Sequence, residues 1–469
     1  MQISKQDVLW NYAATFLKIA ASVLLLPIML NMMPTEMVGI WSVFMTITAF
    51  SGLLDFGFSP SFTRNVTYVF SGVHFLQKNG FEVVDPNNST IDYSLLKGIL
   101  SAMRWMYFRI AFFLFLILST IGTVYIHSLL KSYNGSHTEV YLSWVILCII
   151  NTYNLYTLYY DSLLQGRGLI KRSKQIIILG QLAYLAIASL LLLLGKGLIA
   201  VVAAQGVSVI IIRTLSSKSF FDVEMKNNIK AADGGMSKEI IKIILPNALK
   251  IGATTLGGFV IQRSSLLIGA LYLSLNDIAS YGITTQVIAI IVSLSGIYFT
   301  TYLPKIVQLR VLNDTIAIKE IYLRGFVFLV GIFLFGGGAL LLTGQQILNL
   351  IGSNTPLLSS SMLATALLVS LLESNHSQAG VVLVTKNEVP FFKASLLSAA
   401  LTLILLFFFL NYTDMGIWAM ILAPGIAQGI YQNWKWPSVV IVEFAISWND
   451  LLKSISAITN KIKQNQRLI

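Results

Sequence analysis

The chain has 469 residues, of which 56% are hydrophobic and only 11% charged, with a net charge of +12. One soluble core of that length cannot hide so much apolar surface, so the composition points to a membrane protein. The basic excess is spread over many loops rather than gathered on one face, which argues against nucleic acid as a partner, and a single cysteine, Cys148, excludes a disulfide framework or a cysteine metal site.

Apolar stretches of about 17 to 25 residues define about twelve expected spans. In chain order the first six are Asn11 to Leu30, Gly39 to Phe56, Phe108 to Ile126, Tyr141 to Tyr160, Ile176 to Leu194 and Leu198 to Ile212. The second six are Asn247 to Tyr272, Tyr281 to Tyr302, Phe326 to Thr343, Leu357 to Val384, Leu396 to Asn411 and Gly416 to Ile430. Every second loop is basic: Arg64, Lys78, Lys97 and Arg104 follow the second span, Arg167 to Lys174 the fourth, and Arg213 to Lys242 the sixth. The opposite loops hold only Lys131 and Lys196. Cytoplasmic loops are the basic ones, so both termini are expected in the cytoplasm. The first apolar run is too long for a signal-peptide core and is expected to stay as the first transmembrane helix.

The two sets of spans repeat. Gly197, Ala200 and Gly206 return 219 residues later as Gly416, Ala419 and Gly425, and Lys174 returns as Lys393. Gly39 matches Gly282 at an offset of 243, and a proline follows in each half, Pro60 and Pro304. The longer first half is explained by the polar insertion Ser71 to Leu96. An even number of helices per half gives the halves the same orientation, related by an axis along the membrane normal, with a substrate path between them. The expected organisation is a six-helix half at 1–215, a cytoplasmic linker at 216–244, a second six-helix half at 245–434 and a tail at 435–469 that suits a terminal amphipathic helix.

Charged side chains near mid-bilayer are costly, by about 2.5 kcal/mol or more, and usually face protein or water. Four cations fall within or at the ends of expected spans. Arg109 and Lys250 lie within about one turn of a cytoplasmic end, where a side chain can snorkel to the headgroups. Lys18 and Arg263 sit deeper, about 12 and 24 Å along the first and seventh helices. They suggest a cationic lumen for an anionic substrate; the alternatives are buried ion pairs or contacts with lipid phosphates. The tenth span is the most polar, with Glu373, Asn375, His376 and Gln378 interrupting an apolar run. Glu373 and His376 share a helix face and form a candidate proton or cation site. At the 219-residue offset the fourth span carries Asn154 and Thr157, beside a stripe of Tyr153, Tyr156 and Tyr160 that suits either sugar stacking or interfacial packing. Asp55, at the end of the second span, is a further candidate for ion coupling or for a cap or salt bridge to Arg64. No metal is assigned. No phosphate-binding loop ending in Gly-Lys-Ser/Thr and no hydrolase motif is present, so transport is expected to draw on an ion or substrate gradient and no cofactor or enzymatic activity is expected.

The stretch Gly52-Leu-Leu-Asp-Phe-Gly-Phe-Ser-Pro-Ser-Phe-Thr-Arg-Asn65, following Pro27 and Glu36-Met-Val-Gly-Ile-Trp41, resembles polysaccharide flippases of the O-antigen (Wzx) type. These share a superfamily with the multidrug and toxic compound extrusion (MATE) transporters. The resemblance covers the whole layout, including the basic segment Leu164-Gln-Gly-Arg-Gly-Leu-Ile-Lys-Arg172 after the fourth span. It implies an all-α, MATE-like fold of about twelve helices in two halves. It also implies movement of a polyprenyl pyrophosphate-linked glycan across a bacterial inner membrane, with membrane lipids, a polysaccharide polymerase and chain-length machinery as partners. A cation-coupled multidrug exporter is the alternative within that superfamily, and Glu373 is the residue that keeps it open. A major-facilitator carrier is disfavoured because Gly52 to Arg64 lacks the expected arginine pair, and a membrane glycosyltransferase because the outer loops are short.

Overall fold

The structure, a computed structural model, describes residues 5–55, 58–76, 90–233, 238–386 and 390–456. All regular structure among these residues is helical. In hydrocarbon no water satisfies the backbone, and a helix pairs its own N–H and C=O groups within one segment. The chain forms two compact units, Met1–Leu256 and Gly257–Ile469.

The first unit contains α1 (Lys5–Met32), α2 (Thr35–Leu53), α3 (Phe58–Phe70), α4 (Tyr93–Ile117), α5 (Thr123–Leu130), α6 (His137–Tyr156), α7 (Tyr159–Gly166), α8 (Ile170–Leu193), α9 (Gly197–Phe220) and α10 (Val223–Ala231). The division between the units falls within α11 (Lys238–Gly269). The second unit continues with α12 (Leu275–Val311), α13 (Thr315–Ile332), α14 (Gly338–Leu350), α15 (Ser360–Val384), α16 (Phe392–Tyr412), α17 (Ile417–Gly429) and α18 (Gln432–Glu443). The segment expected as a linker is therefore mostly helical: residues up to Phe220 complete α9, and α10 packs onto α4 with Met225 buried in the first unit's core.

Eight helical segments among the described residues are long and apolar enough to cross a membrane. Their length and apolar make-up, with no strand among the described residues, define an all-α, multi-pass membrane protein. The remaining expected spans fall in α1, α11, α15 and α17. Three of these carry the polar residues singled out from sequence, Lys18, Arg263 and Glu373, and α17 is only 13 residues long.

The repeat has a structural form inside each unit. Asp92 caps α4 by accepting from the Leu95 N–H at 2.8 Å, and Asp314 caps α13 by accepting from the Ala317 N–H at 3.0 Å. Each capped helix then passes through a five-residue π-helical turn, Leu118–Gly122 in the first unit and Phe333–Gly337 in the second. Gly197 and Gly416 open α9 and α17 with positive φ values of 45° and 54°, which glycine tolerates best. Gly206 and Gly425 permit close helix contacts: an added Cβ would lie 2.6 Å from Ile150 and 2.8 Å from Val369, partners separated by the same 219 residues. A repeated contact of two residues is stronger than a repeated residue type, because it requires the same packing twice.

Candidate functional site

The second unit encloses a half-open cavity of about 390 Å³ between α11, α12, α15 and α17. Most of its wall is apolar, from residues such as Ile288, Val292, Phe299, Val381 and Ile421. Its polar groups come chiefly from one turn of α11 and two turns of α15, where Gln262, Arg263, Glu373, Ser374, Ser377 and Gln378 line the space. The volume and the mixture of apolar wall with a few convergent polar groups are those of a small-ligand site.

Within that cavity the polar groups are unequally satisfied. Gln262 Nε2 donates to Glu373 Oε1 at 2.8 Å, joining α11 to α15. Gln378 Nε2 donates to the Ser295 carbonyl at 3.3 Å, joining α15 to α12. Arg263 forms neither hydrogen bond nor ion pair with a described residue. A guanidinium carries five N–H donors, so Arg263 leaves a complete donor fork available to an oxyanion.

The other expected residues are distributed more widely. His376 points away from the cavity: its Nδ1 lies 2.7 Å from Asn433 Oδ1 on α18, while Glu373 is tied to α11. The i, i+3 spacing therefore gives these two residues different partners. Asn375 is half-buried on α15 and is not among the residues lining the cavity. In the first unit, Asn154 Oδ1 accepts from Arg213 Nη2 at 2.7 Å, and Thr157 Oγ1 donates to the Tyr153 carbonyl of its own helix at 2.6 Å. Tyr153 is exposed, whereas Tyr156 and Tyr160 pack against the first unit's core, which breaks the tyrosine stripe.

Arg109 stacks 3.6 Å above the Trp105 ring on an exposed face of α4 that also presents Phe108, Phe112 and Phe113. That face is suited to lipid, with the cation held by its aromatic neighbour at the edge of the apolar stretch. Asp55 accepts from the Ser59 backbone N–H and from Tyr107, so it caps α3 and ties it to α4. It forms no ion pair with Arg64 among the described residues. The side chains of Lys18 and Lys250 lie outside the described part of the structure.

Two charged clusters escaped the sequence reading. Arg213, expected in a cytoplasmic loop, lies within α9 with its side chain 6% exposed, and its Nη1 donates to Asp161 Oδ2 at 2.7 Å. Arg310 pairs with Glu443, which also receives Lys386 at 2.8 Å, so α12, the end of α15 and α18 meet at one carboxylate. The available signal was an acidic residue just past the fourth span facing a basic one just past the sixth, a pairing that a count of loop charges does not register.

No family model and no curated protein matches the chain. Solved structures do. One is the inward-facing conformation of a multidrug resistance MATE family transporter of the MOP superfamily, 14% identical, covering 93% of this chain and 96% of that one with a TM-score of 0.60. Another is the lipid II flippase MurJ in an inward closed conformation, 12% identical, covering 95% and 90% with a TM-score of 0.58. The described helices thus have the fold shared by MATE transporters and MurJ. At these identities the likeness defines the fold and leaves the substrate to the residues of the site.

Proposed function

We propose that the chain is a transporter that moves an anionic, lipid-linked oligosaccharide from the cytoplasmic to the outer leaflet of a bacterial inner membrane by alternating access. The observation that carries this reading is the unpaired Arg263 in an otherwise largely apolar cavity. A phosphate entering hydrocarbon loses its hydration, and an opposite unit charge at 4 Å offsets about 4 kcal/mol at an effective dielectric near 20, against about 1 in water. Arg263 is placed to bind a pyrophosphate oxygen, while the serines and Gln378 of α15 offer hydrogen bonds to sugar hydroxyls. The lipid tail exceeds what the cavity can hold and stays in the bilayer. Lys18 and Lys250 are proposed as further phosphate contacts, and an ion gradient as the energy source. A polymerase and chain-length machinery would consume the flipped glycan.

Glu373 favours a second reading. A carboxylate in the same cavity suits a cation-coupled multidrug exporter, and one structure with this fold is a multidrug resistance MATE family transporter. Deleting the gene in its native host separates the two. Accumulation of polyprenyl pyrophosphate-oligosaccharide on the cytoplasmic leaflet with unchanged drug tolerance supports the flippase; new drug sensitivity without accumulation sinks it and supports the exporter.

A further inference from the structure

We propose that the short helix over 448–456, which follows α18, lies in the plane of the membrane surface and inserts Trp448, Leu452 and Ile455 into the lipid leaflet. The proposal is independent of the substrate assigned above. It starts from how the helix begins. Ala445 takes a left-handed φ of 46° and redirects the chain after α18. Ser447 and Asp450 then cap the new helix reciprocally: the Ser447 N–H donates to Asp450 Oδ2 at 2.8 Å, and the Asp450 N–H donates to Ser447 Oγ at 3.3 Å. This capping box makes a distinct start rather than a fraying extension of α18.

The helix divides into three faces. One faces the protein: Asp450 pairs with Lys319 of α13 at 2.6 Å, Lys319 also donates to the Ala445 carbonyl at 2.9 Å, and Ser454 is buried. The second is apolar and exposed, with Trp448 at 71%, Leu452 at 48% and Ile455 at 43%. At 3.6 residues per turn these three fall within a sector of about 60°. The third, Asn449, Lys453 and Ser456, is exposed and polar. A helix on a soluble surface needs two faces, one to the protein and one to water. A third face that is apolar, and turned away from the protein it docks on, calls for another apolar phase.

Position identifies that phase. The apolar part of α12 ends at Leu303 and the next candidate span begins at Thr315, so Arg310 lies beyond the first and Lys319 near the start of the second. Arg310 meets Glu443 and Lys386 at this same end of the unit. The helix is therefore held at the level where hydrocarbon gives way to headgroups. Ile441 and Val442, exposed on the last turn of α18, continue the apolar surface into the bilayer. Lys453 would face the headgroup phosphates, and the following sequence adds Lys461, Lys463 and Arg467 with no acidic residue after Asp450.

Single cysteines at Trp448, Leu452, Ile455, Asn449, Lys453 and Ser456, introduced with Cys148→Ala and spin-labelled, test the proposal in proteoliposomes of phosphatidylethanolamine and phosphatidylglycerol. Collision with oxygen should exceed collision with a water-soluble nickel chelate at the first three positions, and the order should reverse at the last three. Equal nickel access at Trp448 and Lys453 would overturn the proposal, as would shielding of the apolar positions from both reagents, which would mean that protein covers them. A second measurement needs no cysteine: lipids brominated near the headgroup should quench the fluorescence of the full chain more than that of Trp448→Phe. Identical quenching would count against insertion.

Discussion

The two units run the same helical plan but treat their interior charge in opposite ways. In the first, Arg213 is buried with its donors committed to Asp161 and Asn154. In the second, Arg263 lines a cavity and has no described partner. A satisfied buried cation holds helices together, here α9 to α6 and α7; an unsatisfied one beside open space is available to a ligand. The contrast assigns structural work to the first network and, on the function proposed above, substrate recognition to the second. It can be broken by experiment at either end.

The largest effect is expected at Arg213. Asp161→Ala leaves a buried guanidinium with only Asn154, and breaking such a pair costs about 3 kcal/mol, the low end of the buried range because the Asp161 side chain is 21% exposed. The melting temperature of the detergent-purified protein should fall strongly. Joint replacement, Arg213→Met with Asp161→Leu, should recover most of the loss, since no charge is then stranded. A double variant no more stable than Asp161→Ala would show that the pair does more than hold the fold.

Arg263→Gln is the complementary test. A charge-assisted hydrogen bond is worth about 1.5 to 3 kcal/mol, so binding of the pyrophosphate-linked substrate should weaken about tenfold to a hundredfold while the melting temperature stays unchanged. The opposite pattern, lost stability with intact transport, would make Arg263 structural and erase the difference between the units. Glu373→Gln serves as the control: it retains a group that can bond Gln262, and it should spare flipping but abolish any export of organic cations.

Much of the fold was legible because membrane spans write themselves as long apolar runs, and because the repeated glycines mark real close contacts. Gly206 and Gly425 were visible as letters; their partners Ile150 and Val369 were not, since one branched aliphatic side chain looks like any other in an apolar run. The site was legible in part. Arg263, Glu373 and Gln378 stood out as polar residues that lipid would not tolerate, and they line one cavity. Arg213 was hidden by its position near a helix end, where any cation reads as a topology signal. His376 was hidden by rotation: three residues apart on a helix still leaves about 60° between side chains, enough to give it Asn433 rather than the cavity.

The paired π-helical turns offer a finer comparison. A Cβ on Gly122 would lie 2.7 Å from the Trp144 ring, which is itself held by a 3.0 Å hydrogen bond from Nε1 to Thr123 Oγ1. In the second unit a Cβ on Gly337, the last residue of the turn, would lie 3.2 Å from Leu367, whereas Gly338, the first residue of α14, has nothing within 4 Å of that position. Gly122→Ala should therefore cost about 1 to 3 kcal/mol through overpacking, whereas Gly338→Ala should be neutral or stabilise by up to about 1 kcal/mol. Thermal melts of the two variants should move apart. Equal shifts would mean that Trp144 swings away freely.

The smallest effect is expected outside the membrane, at Asp222, and it separates exposed from buried pairing within the first unit. The carboxylate accepts from the Met225 N–H at 2.8 Å and from Arg167 Nη1 at 2.9 Å, and these bonds, the backbone one first, hold its pKa below the ordinary 3.8. A lowered folded pKa contributes stability that is present above the unfolded value and lost as pH falls through the folded one. The capped start of α10 should thus be intact at neutral pH and loosen only below about 3.8. Asp222→Ala should cost about 1 kcal/mol, read as faster hydrogen exchange at the first amides of α10. Salt then distinguishes the two arginines: the Arg167 pair is 25% and 47% exposed and should weaken at high ionic strength, while the Arg213 pair, shielded from counterions, should not. Equal salt sensitivity would place Arg213 in contact with water and return it to the loop that the sequence alone suggested.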